Sequence, residues 1–158
     1  MLPLQKNNLK GFIKMSNSIR FKQISDDARL PKHATSNSAG FDLYSCEDAI
    51  LRSSERKLIG LGFATQIPEN HYVAIVPRSG LAVKQGVSIV NAPGTIDADY
   101  RGEWKVCLIN LGNELVHIRK GDRIAQGIML RYEKVEFREV ENLEETQRST
   151  GGFGSTGS

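Results

Sequence analysis

The sequence predicts an all-β domain, a jelly-roll-like antiparallel β-sandwich or barrel with one short helix and a flexible C-terminal arm. Three observations indicate this class. Apolar residues alternate with a period of two in several segments, turn-forming Gly, Pro, Asn and Asp separate those segments at close intervals, and only one short stretch carries helix signals. The chain has 158 residues, which fits one domain that buries roughly 70% of the surface of its unfolded chain.

Two segments show the clearest strand pattern, HYVAIV at residues 71–76 and WKVCLINL at residues 104–111. Both faces of these segments are largely apolar, so we expect each strand to lie between two layers. Further strands are predicted at residues 19–24, 41–44, 58–67, 87–90, 115–118 and 124–132. The one helix is predicted over residues 79–86, with Ser79 as the N-cap and Gly86 past its end.

The composition divides the chain into three parts. It changes to mostly charged residues at Glu133 and to Gly and Ser after Thr150. We therefore expect a disordered N-terminal extension, a β domain and a flexible arm, at residues 1–18, 19–140 and 141–158 respectively. Met15 is a second possible start of the chain.

Charge and cysteine content exclude several classes of protein. The net charge is only +3, but it is uneven along the chain, because several basic residues precede the first acid, Asp26. Short basic tails are usually solvated, so the sequence predicts no nucleic-acid partner. No apolar run approaches the roughly 20 residues of a membrane span, and no membrane partner is predicted. Cys46 and Cys107 are far apart, and we expect two reduced thiols in a cytoplasmic protein, with Cys107 facing the core.

The stretch PRSGLA at residues 77–82 has the residues of a phosphate site. Pro77 ends a strand, and Arg78 and Ser79 stand where backbone N–H groups of a turn and a helix start lack partners. A guanidinium and a hydroxyl beside such groups can hold a phosphate. A capped helix with a surface arginine explains the same residues, and both interpretations stay open.

The stretch NAPGTIDADYRGE at residues 91–103 carries two close carboxylates. Asp97 and Asp99 would project from the same side of an extended chain. Their repulsion makes them candidates for holding a water molecule or a metal-bound polyanion. The alternative is a polar hairpin tip, where the two carboxylates only satisfy turn N–H groups and Tyr100 only packs.

Two further stretches are less informative alone. AGFDLYS at residues 39–45 contributes one acid, Asp42, to a strand expected to be half-buried. GDRIAQ at residues 121–126 is typical of a turn before a strand, with Ile124 pointing inward and Arg123 and Ala125 pointing the other way.

Together, AGFDL, PRSG, GTIDADYRGE, GDRIAQ and RSTGGFGSTG resemble, in order and spacing, the five motifs of the deoxyuridine triphosphatases (dUTPases). The resemblance implies a jelly-roll subunit in a homotrimer, with active sites shared between subunits. It also implies Mg²⁺-dependent hydrolysis of dUTP to dUMP and pyrophosphate, which limits uracil in DNA and supplies dUMP for dTTP synthesis.

The resemblance assigns roles to individual residues. Asp97 becomes the catalytic aspartate that holds and deprotonates the attacking water, and Tyr100 lies against the deoxyribose. Asp42 becomes an acid near the water shell of the metal. The substrate-binding residues that it implies are Arg78, Ser79, Gly80, Asn91, Thr95, Ile96, Asp97, Tyr100, Lys105, Gln126, Arg148, Phe153, Gly154, Ser155 and Thr156.

The chain departs from the family pattern at Ser149, where the last motif usually has glycine after its arginine. Two other functions remain alternatives. A deoxycytidine triphosphate deaminase is similar in fold but needs an acid/base group beside the cytosine amino group, and the hairpin here reads TIDADYRG instead. A non-catalytic jelly-roll binding module could lose Asp97, Tyr100, Arg148 or Phe153, whereas all four are present.

Overall fold

The computed structural model describes residues 18–152, which form one short helix and antiparallel strands. In chain order these are β1 Arg20–Gln23, β2 Lys32–His33, β3 Phe41–Tyr44, β4 Ala49–Leu51, β5 Arg56–Gly60, β6 Phe63–Gln66, β7 His71–Val76, α1 Ser79–Gln85, β8 Val87–Ile89, β9 Gly94–Ile96, β10 Lys105–Asn110, β11 Val116–Ile118 and β12 Arg123–Arg131. The all-β class with one short helix is confirmed. The N-terminal extension up to residue 17 lies outside the described residues.

The strands form one five-stranded sheet and three smaller ones. The largest sheet has the order β2-β3-β12-β7-β9, and the others are β5-β10-β8, β1-β6 and β11-β4. All of them contribute to one apolar core, in which Phe63 and Trp104 are fully buried with ring centroids 5.3 Å apart. Burial of large aromatic side chains at this level is a main source of stability.

Most predicted strands are present, but the strand predicted at residues 58–67 is two strands. The chain turns at Gly62, where φ is 72° and a Cβ would lie 3.0 Å from the Cβ atoms of Ser25 and Ala28. Only glycine adopts this conformation without cost. Three short strands, β2, β4 and β9, were not predicted.

The N-cap of the helix lies one residue earlier than predicted. Arg78, with extended backbone, takes the N-cap position without a side-chain hydrogen bond, and Ser79 is the first helical residue. The prediction that Ser79 caps the helix was therefore wrong. Gly86 ends the helix in the left-handed conformation, as predicted, and donates its N–H to Ala82 O.

Strand β10 has one buried and one partly open face. Val106, Leu108 and Asn110 are buried, whereas Cys107 and Ile109 on the opposite face are half-buried. The prediction that Cys107 faces the core was wrong, and within this subunit β10 does not lie between two layers. On the same outer face, Leu58 pairs with Cys107 and is 58% exposed.

The chain leaves the domain after β12. Tyr132 lies against Tyr72, with ring centroids 6.2 Å apart, and residues 133–150 are exposed throughout. Several of their apolar side chains extend into solvent: Val135 70%, Phe137 93%, Val140 58% and Leu143 86%. Within residues 18–152, no helix has the length and hydrophobicity to span a membrane.

Candidate active site

One group of predicted site residues lies at one end of the five-stranded sheet. Asp42 on β3 is in register with Gln126 on β12, which is in register with Val76 at the end of β7. Arg78 follows β7 directly. The sheet thus brings together residues from three separate motifs, although they are far apart in sequence.

The carboxylate of Asp42 is the centre of this group. It is only 4% exposed, in a strand that is mostly buried and not half-buried as predicted. Arg123 Nη1 donates to Oδ2 at 3.1 Å, Arg78 Nε lies 3.5 Å from Oδ1, and Gln126 Nε2 donates to Oδ1 at 3.4 Å. A buried carboxylate is costly without such partners, and these contacts supply them and fix its position. We refer to Asp42, Arg78, Arg123 and Gln126 as the arginine cluster.

Sequence reasoning gave Arg123 no role. A register shift in the pairing of β12 with β3 falls between Arg123 and Ala125, so that Ile124 and Ala125 are both buried while Arg123 remains exposed at Asp42. Bulges redirect a side chain in this way. The prediction that Ala125 points away from the core was therefore wrong. The sequence signal was present, an arginine inside GDRIAQ, but the bulge could not be deduced from it.

Ser79 and Gly80 lie at the start of α1 beside Arg78, and both are exposed. Arg78 is held by two contacts, because its Nη1 also donates to the carbonyl oxygen of Arg123 at 2.9 Å. A Cβ placed on Gly80 would meet nothing within 4 Å. The PRSG segment therefore presents a fixed guanidinium next to an open surface.

The second group is a hairpin built on β9. This strand is at the edge of the five-stranded sheet, with Thr95 opposite Ala74 of β7 and Ile96 opposite Val73. The backbone groups on its outer side are thus available to a ligand. Asn91 folds over the strand, since a Cβ on Gly94 would lie 3.5 Å from Asn91 Nδ2.

Asp97 follows β9 in a turn. Tyr100 N donates to Asp97 O at 3.2 Å, so the chain is not extended here as the sequence analysis assumed. Asp97 and Asp99 nevertheless line one polar cleft of about 810 Å³, together with Arg101. The Tyr100 hydroxyl donates to Glu103 O at 3.1 Å, which fixes the ring, and Glu103 also pairs with Lys105 at 3.4 Å.

The last motif is only partly described. Arg148 Nε donates to Gly151 O at 2.9 Å, and Gly151 N donates to Arg148 O at 3.0 Å. Ser149 has φ of 46°, a left-handed conformation. The predicted contacts at Phe153, Gly154, Ser155 and Thr156 lie outside the described residues.

The hairpin and the arginine cluster do not meet within this subunit. Strands β9 and β3 are separated by three strand spacings, about 14 Å. Along β7, the level of Asp97 is four residues from the level of Asp42, about 13 Å. Within residues 18–152, the side chains of these two groups therefore cannot contact the same phosphate.

The comparison with known families decides what this chain is. A family model described as dUTPase matches residues 26–157. The chain belongs to the dUTPase family.

Curated relatives of this dUTPase-family chain carry the same description. It is 50% identical over 139 residues to the deoxyuridine 5'-triphosphate nucleotidohydrolase of Nautilia profundicola, which covers 88% of this chain and 98% of that protein. It is 51% identical over 137 residues to the protein of that name from a Hydrogenobaculum species, covering 86% and 95%. The similarity thus extends over nearly the whole length of these relatives.

Solved dUTPase structures resemble the fold. The dUTPase of Staphylococcus bacteriophage 80alpha with dUpNHpp has a TM-score of 0.83 and 29% identity, covering 90% of this chain and 100% of that one. An aspartate-to-asparagine mutant of the phage phi11 dUTPase has a TM-score of 0.75 and 25% identity, covering 82% and 100%. That structure is described as revealing the coordination of a structural Mg(II) ion.

The metal expected by resemblance has no dedicated cage among the described residues. No group of three or more His, Cys, Asp or Glu side chains within residues 18–152 is arranged to hold a metal ion. Mg²⁺ commonly binds through one or two carboxylates, water and substrate phosphates, for which no such group is needed. The role of Asp42 near the metal stays a prediction.

Proposed function

We propose that this chain hydrolyses dUTP to dUMP and pyrophosphate, and thereby limits uracil in DNA and supplies dUMP for dTTP synthesis. The observation that carries the proposal is the position of Asp97, exposed at a turn directly after the edge strand β9. The unpaired backbone groups on the free edge of that strand can form hydrogen bonds with a nucleobase. The Asp97 carboxylate next to it can hold a water molecule. Family membership and the phage structure with dUpNHpp support the same reaction.

Asp97 acts as the general base in this proposal. It holds a water molecule by a hydrogen bond and takes its proton as the water oxygen bonds to the α-phosphorus. The bond from that phosphorus to the bridging oxygen of the β-phosphate breaks, and pyrophosphate leaves. Asp99 lines the same cleft two residues further along the chain, so Asp99 is a suitable control for Asp97.

Uracil is selected by the main chain of Thr95 and Ile96 and by the Asn91 side chain. Main-chain donors and acceptors on a paired strand cannot rotate to suit cytosine, so cytosine would leave buried polar groups unpaired. Tyr100, held by its hydroxyl at Glu103 O, lies against the deoxyribose and excludes a 2′-hydroxyl. Lys105 closes the same hairpin.

The phosphate chain is bound by Arg78, Ser79, Gly80 and Gln126, and the arm adds Arg148. Phe153 of the arm stacks over the base, with Gly154, Ser155 and Thr156 beside the phosphates. Mg²⁺, when bound, neutralises charge on the phosphates, and Asp42 would stand near its water shell. Charge neutralisation and positioning provide most of the acceleration in such reactions.

We further propose a homotrimer in which each active site is shared between subunits. The separation of Asp97 from the arginine cluster supports this, because a site with both parts needs a second copy. The outer face of the β5-β10-β8 sheet also supports it, since Leu58 and Val90 are 58% and 47% exposed there. The apolar side chains of residues 133–143, exposed in one subunit, would be buried on a neighbour. A cytoplasmic location remains a proposal.

The proposed reaction is tested by measuring pyrophosphate and ammonia release from dUTP, dCTP, dTTP and UTP, each with Mg²⁺ and with EDTA. We expect pyrophosphate from dUTP alone, and only with Mg²⁺. Ammonia from dCTP would instead indicate a deaminase. Binding of dUTP with Mg²⁺ without any hydrolysis would indicate a non-catalytic module.

A further inference from the structure

The arginine cluster contains more positive charge than its own carboxylate requires. Asp42 carries one negative charge, and two guanidinium groups lie within 3.5 Å of its oxygens, those of Arg78 and Arg123. One arginine would be enough to neutralise a buried carboxylate. The second leaves a local net charge of one positive unit beside the exposed start of α1.

The two arginines are also fixed to each other. Arg78 Nη1 donates to the carbonyl oxygen of Arg123 at 2.9 Å, and both side chains bond to opposite oxygens of the same carboxylate. Asp42 is held in turn by its place in β3, opposite Gln126. The shared carboxylate restrains both guanidinium groups, which lowers the entropy lost when an anion binds.

Arg123 keeps most of its donors for a ligand. An arginine has five N–H donors, and Asp42 accepts from only one nitrogen of Arg123, Nη1. The side chain is 51% exposed, compared with 23% for Arg78. Arg123 is thus the more exposed of the two arginines. It contacts the same carboxylate as Arg78, which is already assigned to phosphate binding.

We propose that Arg123 is a further phosphate-binding residue, and that Asp42 is the positioning residue that holds Arg78 and Arg123 side by side. Their ligand is the diphosphate part of the nucleoside triphosphate, which becomes the pyrophosphate product. This inference rests on the proposed hydrolysis of dUTP. Two planar guanidinium groups suit a diphosphate because each can bind phosphate oxygens in pairs.

The test measures inorganic pyrophosphate and dUMP binding by calorimetry, and kcat and KM for dUTP, in wild type and in variants. For Arg123→Gln we expect weaker pyrophosphate binding and a higher KM, each by about tenfold to hundredfold, the value of one or more charged hydrogen bonds. Binding of dUMP, which has no diphosphate, should change less than about twofold. Arg123→Lys should recover part of the loss because it keeps the charge without the planar fork.

The matched control is Arg119→Gln, which removes the same charge from an exposed position in the same turn. Arg119 bonds to Asp122 through backbone groups, its N–H donating to Asp122 Oδ2 and its carbonyl oxygen accepting from Asp122 N, so pyrophosphate binding should be unchanged. Arg123→Gln in an Asp42→Asn background guards against misfolding, because no buried charge is then left unpaired. It should bind pyrophosphate more weakly than Asp42→Asn alone.

The proposal is overturned if Arg123→Gln binds pyrophosphate as wild type does, if it loses dUMP and pyrophosphate binding equally, or if Arg119→Gln shows the same loss. Asp42→Asn should also weaken pyrophosphate binding, since it releases both arginines; unchanged binding would remove its positioning role. Calorimetry needs no turnover, so the result remains valid if the wild-type chain fails to hydrolyse dUTP, which would refute the proposed function alone.

Discussion

Asp42 and Asp97, the two acids that the sequence assigns to one site, lie at different ends of the same five-stranded sheet. Asp42 is level with Val76 across β12, whereas Asp97 follows Ile96, which pairs with Val73. Asp42 lies beside the arginines proposed to bind phosphate, and Asp97 lies beside the strand edge proposed to bind the base. The simplest arrangement that unites these parts is an assembly in which the hairpin of one copy faces the arginine cluster of another.

Replacing Asp97 should separate chemistry from binding. We expect Asp97→Asn to lower kcat by about 10²-fold to 10⁴-fold, because the general base is lost, while dUTP still binds. Steady-state kinetics and calorimetry with dUTP measure the two effects. Asp99→Asn, in the same turn and cleft, should keep kcat within about threefold; near-normal turnover by Asp97→Asn would remove Asp97 from its role.

Ser149 should cost binding energy where the family usually has glycine. Its φ of 46° is disfavoured for a residue with a Cβ by about 1–2 kcal/mol, against about 0.5–1 kcal/mol of extra entropy lost by glycine. We expect the open arm to relax out of this turn and the closed arm to adopt it, so Ser149→Gly should lower KM by up to about fivefold.

The control for that change is Ser149→Ala, which keeps the strain and removes the hydroxyl. Its KM should equal that of wild type or exceed it. If alanine lowers KM as much as glycine does, the hydroxyl and not the backbone conformation is responsible.

The Cys46 thiol should react slowly. Burial, with the nearby carboxylates of Glu103 and Glu47, raises the pKa of Cys46, so less of the reactive thiolate forms. In a Cys107→Ser background, alkylation by iodoacetamide at about pH 8 should be slower for folded than for urea-unfolded protein. Equal rates would show that the fold does not disfavour the thiolate.

The sign of the linked pH effect follows from the same shift. Because the folded pKa lies above the unfolded one, the contribution of Cys46 to stability is complete below the unfolded thiol's pKa and is lost as the pH rises through the folded one. Denaturation in urea across this alkaline range, with Cys46→Ser as control, should show a smaller pH-dependent loss in the variant.

Much of the fold was predictable because long strands repeat their pattern. β7 and β10 each have six residues, enough to show alternation, whereas β2 has two and β9 has three. The motifs also named Asp42, Arg78 and Gln126, which the structure places in one cluster. Their division into two groups was not predictable, because it depends on strand order and register, which local sequence does not encode.

Charge and exposure at the site were harder to predict than residue identity. The strand that carries Asp42 was expected to be half-buried, yet Phe41, Asp42 and Leu43 are all buried. The burial of Asp42 depends on Arg78 and Arg123, which reach it from other motifs. The register shift that directs Arg123 there has no signature in GDRIAQ, so its contact with Asp42 could be seen only in the structure.

Mixed assemblies test the shared site most directly. Asp97→Asn and Arg78→Gln subunits, carrying different tags, would be refolded together, and mixed trimers purified through both tags before assay of pyrophosphate release. Each variant alone should be nearly inactive. In each purified mixed trimer about one site in three combines an intact Asp97 with an intact Arg78 from another copy, so activity should recover to about a third of wild type. Activity no higher than that of the separate variants would contradict the account, since it would mean that one subunit must supply both residues.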